Sequence, residues 1–360
     1  MNRKIIMIKA RGYAAKHSFS SLKLLEFERE EIKDDELEIE VQYCGVCHSD
    51  VHQVKNEWKN TIYPCLPGHE IIGRVANVGT RVTKFKMGDR VGVGCMIDSC
   101  GICPSCAEGL QQYCESEEGF LATYNSHQRK PTEEHHTYGG YANNIVVKEK
   151  FVLRIPESLD SASAAPLLCA GVTTYSPMKY WQVEQGTQVG VIGLGGLGHV
   201  AVKIAIALGA DVTVITSNAE KIDAAFELGA DRVVFSEDKA DMEKNANSLD
   251  FILNTIPQPH DVNVYFPLLK RDGLIAIVGC IAPLKAPLDL SKILIDRKTL
   301  GTSLIGSIEE TQEVLDFCAL HNIAANIKVI SISEINEAFK EIDNGEVSFR
   351  YVIDMATLND

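Results

Sequence analysis

Short runs that alternate apolar and polar residues dominate the first part of the chain. LEIEVQY, EIIGRVANV, DRVGVG and NNIVV are separated by Gly, Pro and Asp, the mark of strands joined by turns. Residues 1 to about 157 are therefore expected to be β-rich. After Pro156 the pattern changes. SLDSASAAPLLCAGVTTYSPMKYW reads as packed helix, and QVGVIGLGGLGHVAVKIAIALGA as an apolar strand, a glycine turn and a long helix. DVTVITS, DRVVFS, DFILNTI and LIAIVGC are further apolar strands, with the helix-like AEKIDAAFELGA among them. Apolar strands alternating with helices predict an α/β fold, a doubly wound parallel sheet covered on both faces. Beyond about 302 come the helix-like EETQEVLDFCALH and the strand-like YVIDM.

Composition narrows the class. A chain of 360 residues is long for one core and suits two domains. No apolar run is long enough to span a bilayer, and the N-terminal stretch lacks a signal-peptide pattern. A cytoplasmic protein is expected, with no membrane partner. Eleven cysteines in a reducing compartment argue for metal ligands and buried thiols rather than disulfides. A net charge of −14 argues against a nucleic-acid partner.

Two motifs carry chemistry. Cys100, Cys103, Cys106 and Cys114 follow the spacing C-x2-C-x2-C-x7-C. Four thiolates so close in sequence can close a tetrahedral shell around zinc, and an iron–sulfur cluster uses the same ligands. The second motif is G-x-G-x-x-G at Gly193, Gly195 and Gly198, with Gly196 between them. It follows an apolar strand and opens a helix, the context of a dinucleotide-binding turn. The helix N-terminus offers free N–H groups to a pyrophosphate, even in an acidic protein. The next strand ends in Thr216, Ser217 and Asn218, with no Asp or Glu to hold a ribose 2′-hydroxyl. Small hydroxyl side chains leave room for a 2′-phosphate that Lys221 can pair, so NADP is favoured over NAD.

Cys47-His48-Ser49-Asp50 and Gly68-His69-Glu70 are the other dense polar groups, and Cys169 stands in PLLCAG. A catalytic zinc needs three protein ligands, and Cys2His is one such set. Spacing cannot join residues so far apart. Taken singly, Cys169 reads as a buried thiol and His69 as a satisfied core histidine.

The run GHEIIGRVANVGTRV from Gly68 to Val82, with CGVCHSD, the four-cysteine stretch and GLGGLG, resembles the zinc-dependent medium-chain alcohol dehydrogenases. PLLCAGVTTYSP and SLIGS are most similar to the cinnamyl alcohol dehydrogenase branch. The resemblance implies a β-rich GroES-like catalytic domain at 1–157 and 303–360, its structural-zinc lobe at about 95–115, and a Rossmann domain at 158–302. It implies two zinc ions per chain. Cys47, His69 and Cys169 would hold the catalytic one, with Glu70 as an exchangeable ligand and Asp50 behind a ligand imidazole. Cys100, Cys103, Cys106 and Cys114 would hold the structural one. Cys44, Cys65, Cys95, Cys280 and Cys318 would be packing thiols. Thr173 joins the residues expected to bind the cofactor.

The implied reaction is hydride transfer between a nicotinamide and a primary alcohol or aldehyde. Its proton would leave through Ser49, the nicotinamide ribose and His52. Trp58, Phe120, Leu304 and Ile305 are implied around the substrate and suit aromatic, cinnamyl-type or medium aliphatic aldehydes. Leu304 replaces a bulkier aromatic of the plant enzymes, and the stretch ESEEGFLATYNSHQRKPTEEHHTYGGY is longer than theirs. Both departures favour a broad aldehyde reductase. His127, His135 and His136 lie in that longer stretch and read as a solvated loop. The family pattern also implies a homodimer joined through strand-like residues near 280–305. Two other readings are a zinc-free quinone or enoyl reductase on the same fold and a non-enzymatic metal-dependent redox sensor.

Overall fold

A computed structural model of the chain describes residues 7–279, 281–345 and 349–359. Cys280, expected to be a packing thiol, lies outside the described residues. The chain divides into two compact units, one of residues 1–169 with 307–360 and one of residues 170–306. The sequence pattern put the first boundary after residue 157. Residues 158–169 instead belong with the β-rich unit, because the turns Ser161–Ala164 and Ala165–Leu168 pack on its central strands.

The first unit is built on a seven-stranded sheet. Its order is Ile327–Ser331, Arg350–Asp354, Glu36–Val46, Ile71–Val78, Arg90–Val93 and Leu153–Arg154, with Asn144–Lys148 paired beside Glu36–Val46. Alternation explains the central strand. Leu37, Ile39 and Val41 are buried, while Glu38 and Glu40 between them are not. The closing strand Arg350–Asp354 lies antiparallel to the far end of Glu36–Val46, with Tyr351 opposite Val46. That register carries residues near the C-terminus to the place where Cys47 leaves the sheet.

The second unit holds a six-stranded parallel sheet. The order is Arg232–Phe235, Asp211–Thr216, Gln188–Ile192, Leu249–Asn254, Leu269–Ile277 and Thr299–Thr302. In sequence terms this is 3-2-1-4-5-6, the doubly wound dinucleotide-binding order. Val189, Val191, Val212, Val214, Ile252 and Leu253 are fully buried, as strands covered on both faces require. No described helix is long and apolar enough to cross a membrane.

Candidate metal centres and nucleotide turn

The first unit gathers Cys47, His69, Glu70 and Cys169, all buried, with one ligand atom of each within 4.8 Å of the others. Cys47 stands where the central strand ends and the helix His48–Val54 begins. His69 and Glu70 immediately precede the strand Ile71–Val78, and Gly45 N donates to Glu70 O at 2.9 Å. Cys169 follows the turn Ala165–Leu168 and closes the unit's first segment. The Cys47 and Cys169 sulfurs are 4.0 Å apart. Two thiolates on one tetrahedral zinc, each about 2.3 Å from it, would be about 3.8 Å apart. A buried Cys2His set with a neighbouring carboxylate thus fits zinc in donor type and spacing.

Asp50 organises this group from beneath. Its Oδ1 meets His69 Nδ1 at 3.1 Å and accepts from Gly68 N at 3.1 Å. Its Oδ2 accepts from Cys47 N at 2.9 Å and from the Tyr141 hydroxyl at 3.1 Å. Fully buried and four times bonded, Asp50 fixes the His69 ring and leaves Nε2 for a metal. Glu70 Oε1 accepts from Arg350 Nη2 at 2.6 Å, whereas Glu70 Oε2 is buried with no hydrogen-bond partner among the described residues. An acceptor buried and unpaired costs stability unless something satisfies it, and a cation beside the thiols would.

The charges follow the packing. A hydrogen bond with Cys169 holds the Cys47 thiol well below its ordinary range, against burial and with help from Arg350. The same contact drives Cys169 up. Burial pushes Glu70 up to about 7, although Arg350 works the other way. At His69 burial disfavours the charged ring, but Asp50 and the nearby thiols outweigh it and the ring is raised.

Three members of this neighbourhood escaped the sequence reading. Arg350 is buried at the head of an apolar strand, where a lone arginine before YVID was the only signal. Cys95 is not a mere packing thiol, for its thiol is lowered, first of all by Cys169 and against burial. No spacing rule points to it. Glu57 pairs with His52 Nδ1 and orients that ring. Cys44, by contrast, is fully buried and hydrogen-bonds to Gly45 O, as a core thiol should.

Ser49 and His52 both lie on the helix His48–Val54, and neither is fully buried. The His52 side chain is 17% exposed, stacks on His48 at 4.6 Å and sits 5.7 Å from the Trp58 ring. Phe120 is buried in the same unit. Leu304 and Ile305 are partly buried and belong to the second unit.

Cys100, Cys103, Cys106 and Cys114 also converge, their sulfurs within 4.8 Å of one another. The Cys100 and Cys106 sulfurs are 3.9 Å apart. Backbone N–H groups of Cys103 and Glu115 donate to Cys100 Sγ and Cys103 Sγ, at 3.4 and 3.3 Å. Such donors suit sulfur that carries charge. Every described cysteine is free of disulfide.

In the second unit the glycine turn lies at the C-terminal end of Gln188–Ile192, beside Leu249–Asn254, where the strand order reverses. Gly193 has φ +86°, and a Cβ on Gly198 would lie 2.0 Å from Gly193 O. A side chain is thus excluded where helix meets strand. A Cβ on Gly195 would meet nothing within 4 Å, so the turn leaves open the face a pyrophosphate would use. Thr173 Oγ1, on the helix Ala170–Tyr180, is buried without a hydrogen-bond partner among the described residues. At the end of Asp211–Thr216, the Thr216 hydroxyl accepts from Asn218 N at 3.1 Å. Ser217 and Asn218 are exposed. Lys221 is partly buried, its ammonium lowered by that burial, and it makes no ion pair among the described residues.

Residues 33–157 match the alcohol dehydrogenase GroES-like domain and residues 196–320 the zinc-binding dehydrogenase domain. The chain belongs to the zinc-binding alcohol dehydrogenase family, oxidoreductases acting on alcohols and aldehydes. It is 49% identical to the aldehyde reductase YahK of Escherichia coli (strain K12), over 98% of this chain and 99% of that protein. The solved cinnamyl alcohol dehydrogenase SbCAD4 from Sorghum bicolor superposes with a TM-score of 0.91 at 42% identity, covering 97% of this chain and 98% of that one. The cinnamyl alcohol dehydrogenase of Helicobacter pylori, solved with NADP(H), gives 0.89 at 39% identity, covering 98% and 99%.

Proposed function

We propose that the chain is an NADP(H)-linked reductase of broad aldehyde range, working with two zinc ions per chain. The buried group Cys47, His69 and Cys169 carries this reading, because its donors suit a zinc that retains an open position. Bound there, zinc supplies Lewis acidity toward an alcohol or carbonyl oxygen. Glu70 stands beside it with one free oxygen, suited to replace a departing ligand. Cys100, Cys103, Cys106 and Cys114 hold the second ion in a closed shell and serve structure.

NADP(H) supplies or accepts the hydride. Gly193, Gly195, Gly196 and Gly198 receive its pyrophosphate, and Thr173 offers an unpaired hydroxyl. Thr216, Ser217, Asn218 and Lys221 take the 2′-phosphate, for Lys221 is a cation without a carboxylate partner among the described residues. The alcohol proton passes to the Ser49 hydroxyl and leaves by His52, whose ring Glu57 orients. Trp58 and Phe120 give the first unit's side of the substrate reading its aromatic character. The free cysteines suit a reducing cytoplasm.

Consumption of NADPH and NADH across a panel of aldehydes, with zinc counted per chain, tests the reading. Turnover with NADPH and two zinc ions is expected. No turnover with either cofactor, or fewer than two zinc ions, would sink it. Lys221→Ala should raise the KM for NADPH about 10–100-fold, the worth of one charge-assisted hydrogen bond, and barely change that for NADH. Equal effects on both would remove Lys221 from the phosphate site.

The chain is further inferred to form a homodimer through the edge strand Thr299–Thr302 and the segment before it. Leu290, Leu294 and Ile295 there are 66%, 80% and 82% exposed, an apolar surface that a partner copy would cover. Sedimentation of the Leu294→Asp, Ile295→Asp variant as a monomer is expected. A dimer unchanged in this variant would place the interface elsewhere.

A further inference from the structure

The stretch that reads as a solvated loop is tied down in the structure. Leu121 and His127 form an antiparallel bridge, as do Asn125 and Thr137. Gln128 N donates to Phe120 O and Arg129 N to Glu118 O, both at 2.9 Å, which folds His127 back beside Glu118. Ser126 Oγ donates to Thr132 O at 3.0 Å and accepts from Thr132 N at 3.1 Å, closing the next turn. The short helical turn Glu133–His135 then brings His135 to the same place.

One ligand atom each of Glu118, His127 and His135 lies within 4.8 Å of the others. His127 Nε2 is 3.5 Å from Glu118 Oε2, and His135 Nε2 is 3.9 Å from Glu118 Oε1. The two imidazoles stand edge to face, centroids 4.9 Å apart at 86°. The His127 side chain is only 14% exposed, and its Nε2 is turned toward Glu118. Ordinary ion pairing explains this poorly. Separations of 3.5 and 3.9 Å exceed hydrogen-bond length, and a mostly buried imidazole is held there for weak contacts. Ligand atoms about 2.1 Å from one tetrahedral ion would lie about 3.4 Å apart, so small side-chain movements would close the set.

We propose that Glu118, His127 and His135 form a further metal site that takes Zn²⁺. Two imidazoles and one carboxylate suit a borderline transition ion, and Mg²⁺ and Ca²⁺ prefer all-oxygen sets. Glu118 and His135 are 46% and 41% exposed, so the remaining coordination position faces water. The ion joins the two ends of a loop whose middle bears on the buried metal group. Tyr124, between Glu118 and His127, lies 5.6 Å from the His69 ring. Asn125 Oδ1 accepts from Ile62 N at 2.8 Å.

Equilibrium dialysis of the full chain against Zn²⁺, followed by metal counting, tests the site. Wild type should retain one more zinc per chain than the His127→Asn, His135→Asn variant. The difference does not depend on how many ions the cysteine groups hold, so the site and the two-zinc reading fail separately. Because His127 is mostly buried, the more exposed His135→Ala serves as the second variant. Titration calorimetry should show its zinc affinity lowered more than the about 10–100-fold that an outer partner is worth. Mg²⁺ should give no uptake. Equal zinc in wild type and the double variant, or an unchanged affinity in His135→Ala, would overturn the proposal.

Discussion

The two cysteine-bearing groups of the first unit use the same donor chemistry in opposite settings. Cys100, Cys103, Cys106 and Cys114 come from one short stretch, and Cys100 is exposed. Cys47, His69, Glu70 and Cys169 come from three separate places in the chain, and all four are buried. The lobe has small turns around its sulfurs and backbone N–H donors to them. The buried group instead has charged side chains behind it, Asp50 on His69 and Arg350 on Glu70. A closed shell of four thiolates can only hold an ion. A mixed set with an acidic neighbour can hold an ion and exchange what is bound to it. On the proposed function, position in the sheet divides the staple from the chemical centre.

Mutations can break that division, and the largest effect should come from Cys47→Ala. It should lose one zinc per chain and slow turnover by about 10³-fold or more, since Lewis acidity is worth several kcal/mol. Cys44→Ala, three residues away in the core, should keep both metal and activity. Metal analysis and turnover of the two variants decide the matter, and the opposite pattern would move the ligand to Cys44. Ser49→Ala sharpens the same region by separating proton transfer from metal binding. Alcohol oxidation should slow about 10²–10⁴-fold with the zinc content unchanged. An unaltered rate, with hydride transfer shown to be limiting, removes Ser49 from the proton path.

Cys103→Ser should act on catalysis least. It should release the lobe's zinc and lower stability by about 4 kcal/mol or more, the scale of a lost structural metal. The rate per folded chain should stay within about twofold of wild type, below 0.5 kcal/mol on the barrier. Thermal melting with and without chelator, beside turnover at low temperature, measures both. If turnover falls before stability does, the lobe is more than a staple.

The glycine turn and the four-cysteine lobe were legible because each is local. Gly193 and Gly198 are dictated by one strand-to-helix turn, and the lobe sulfurs by gaps of two and seven residues. Alternation of Leu37, Ile39 and Val41 likewise announced a sheet. The buried group could be assembled beforehand only through resemblance, since no periodicity connects Cys47 with Cys169. Arg350, Cys95 and Glu57 went unread. Each acquires its role from a neighbour distant in sequence or from one turn of backbone whose direction the pattern does not state.

The amino-acid order by itself therefore determined the alternating α/β half, the β-rich half, the glycine turn and a local cluster of four cysteines. These depend on interactions within a few residues, where propensity and spacing act directly. Tertiary structure decided that residues 158–169 join the β-rich unit and that Arg350 reaches Glu70. It also decided that Glu118, His127 and His135 meet. Strand register and loop closure bring such side chains together, and both are set by burial summed over the whole sheet.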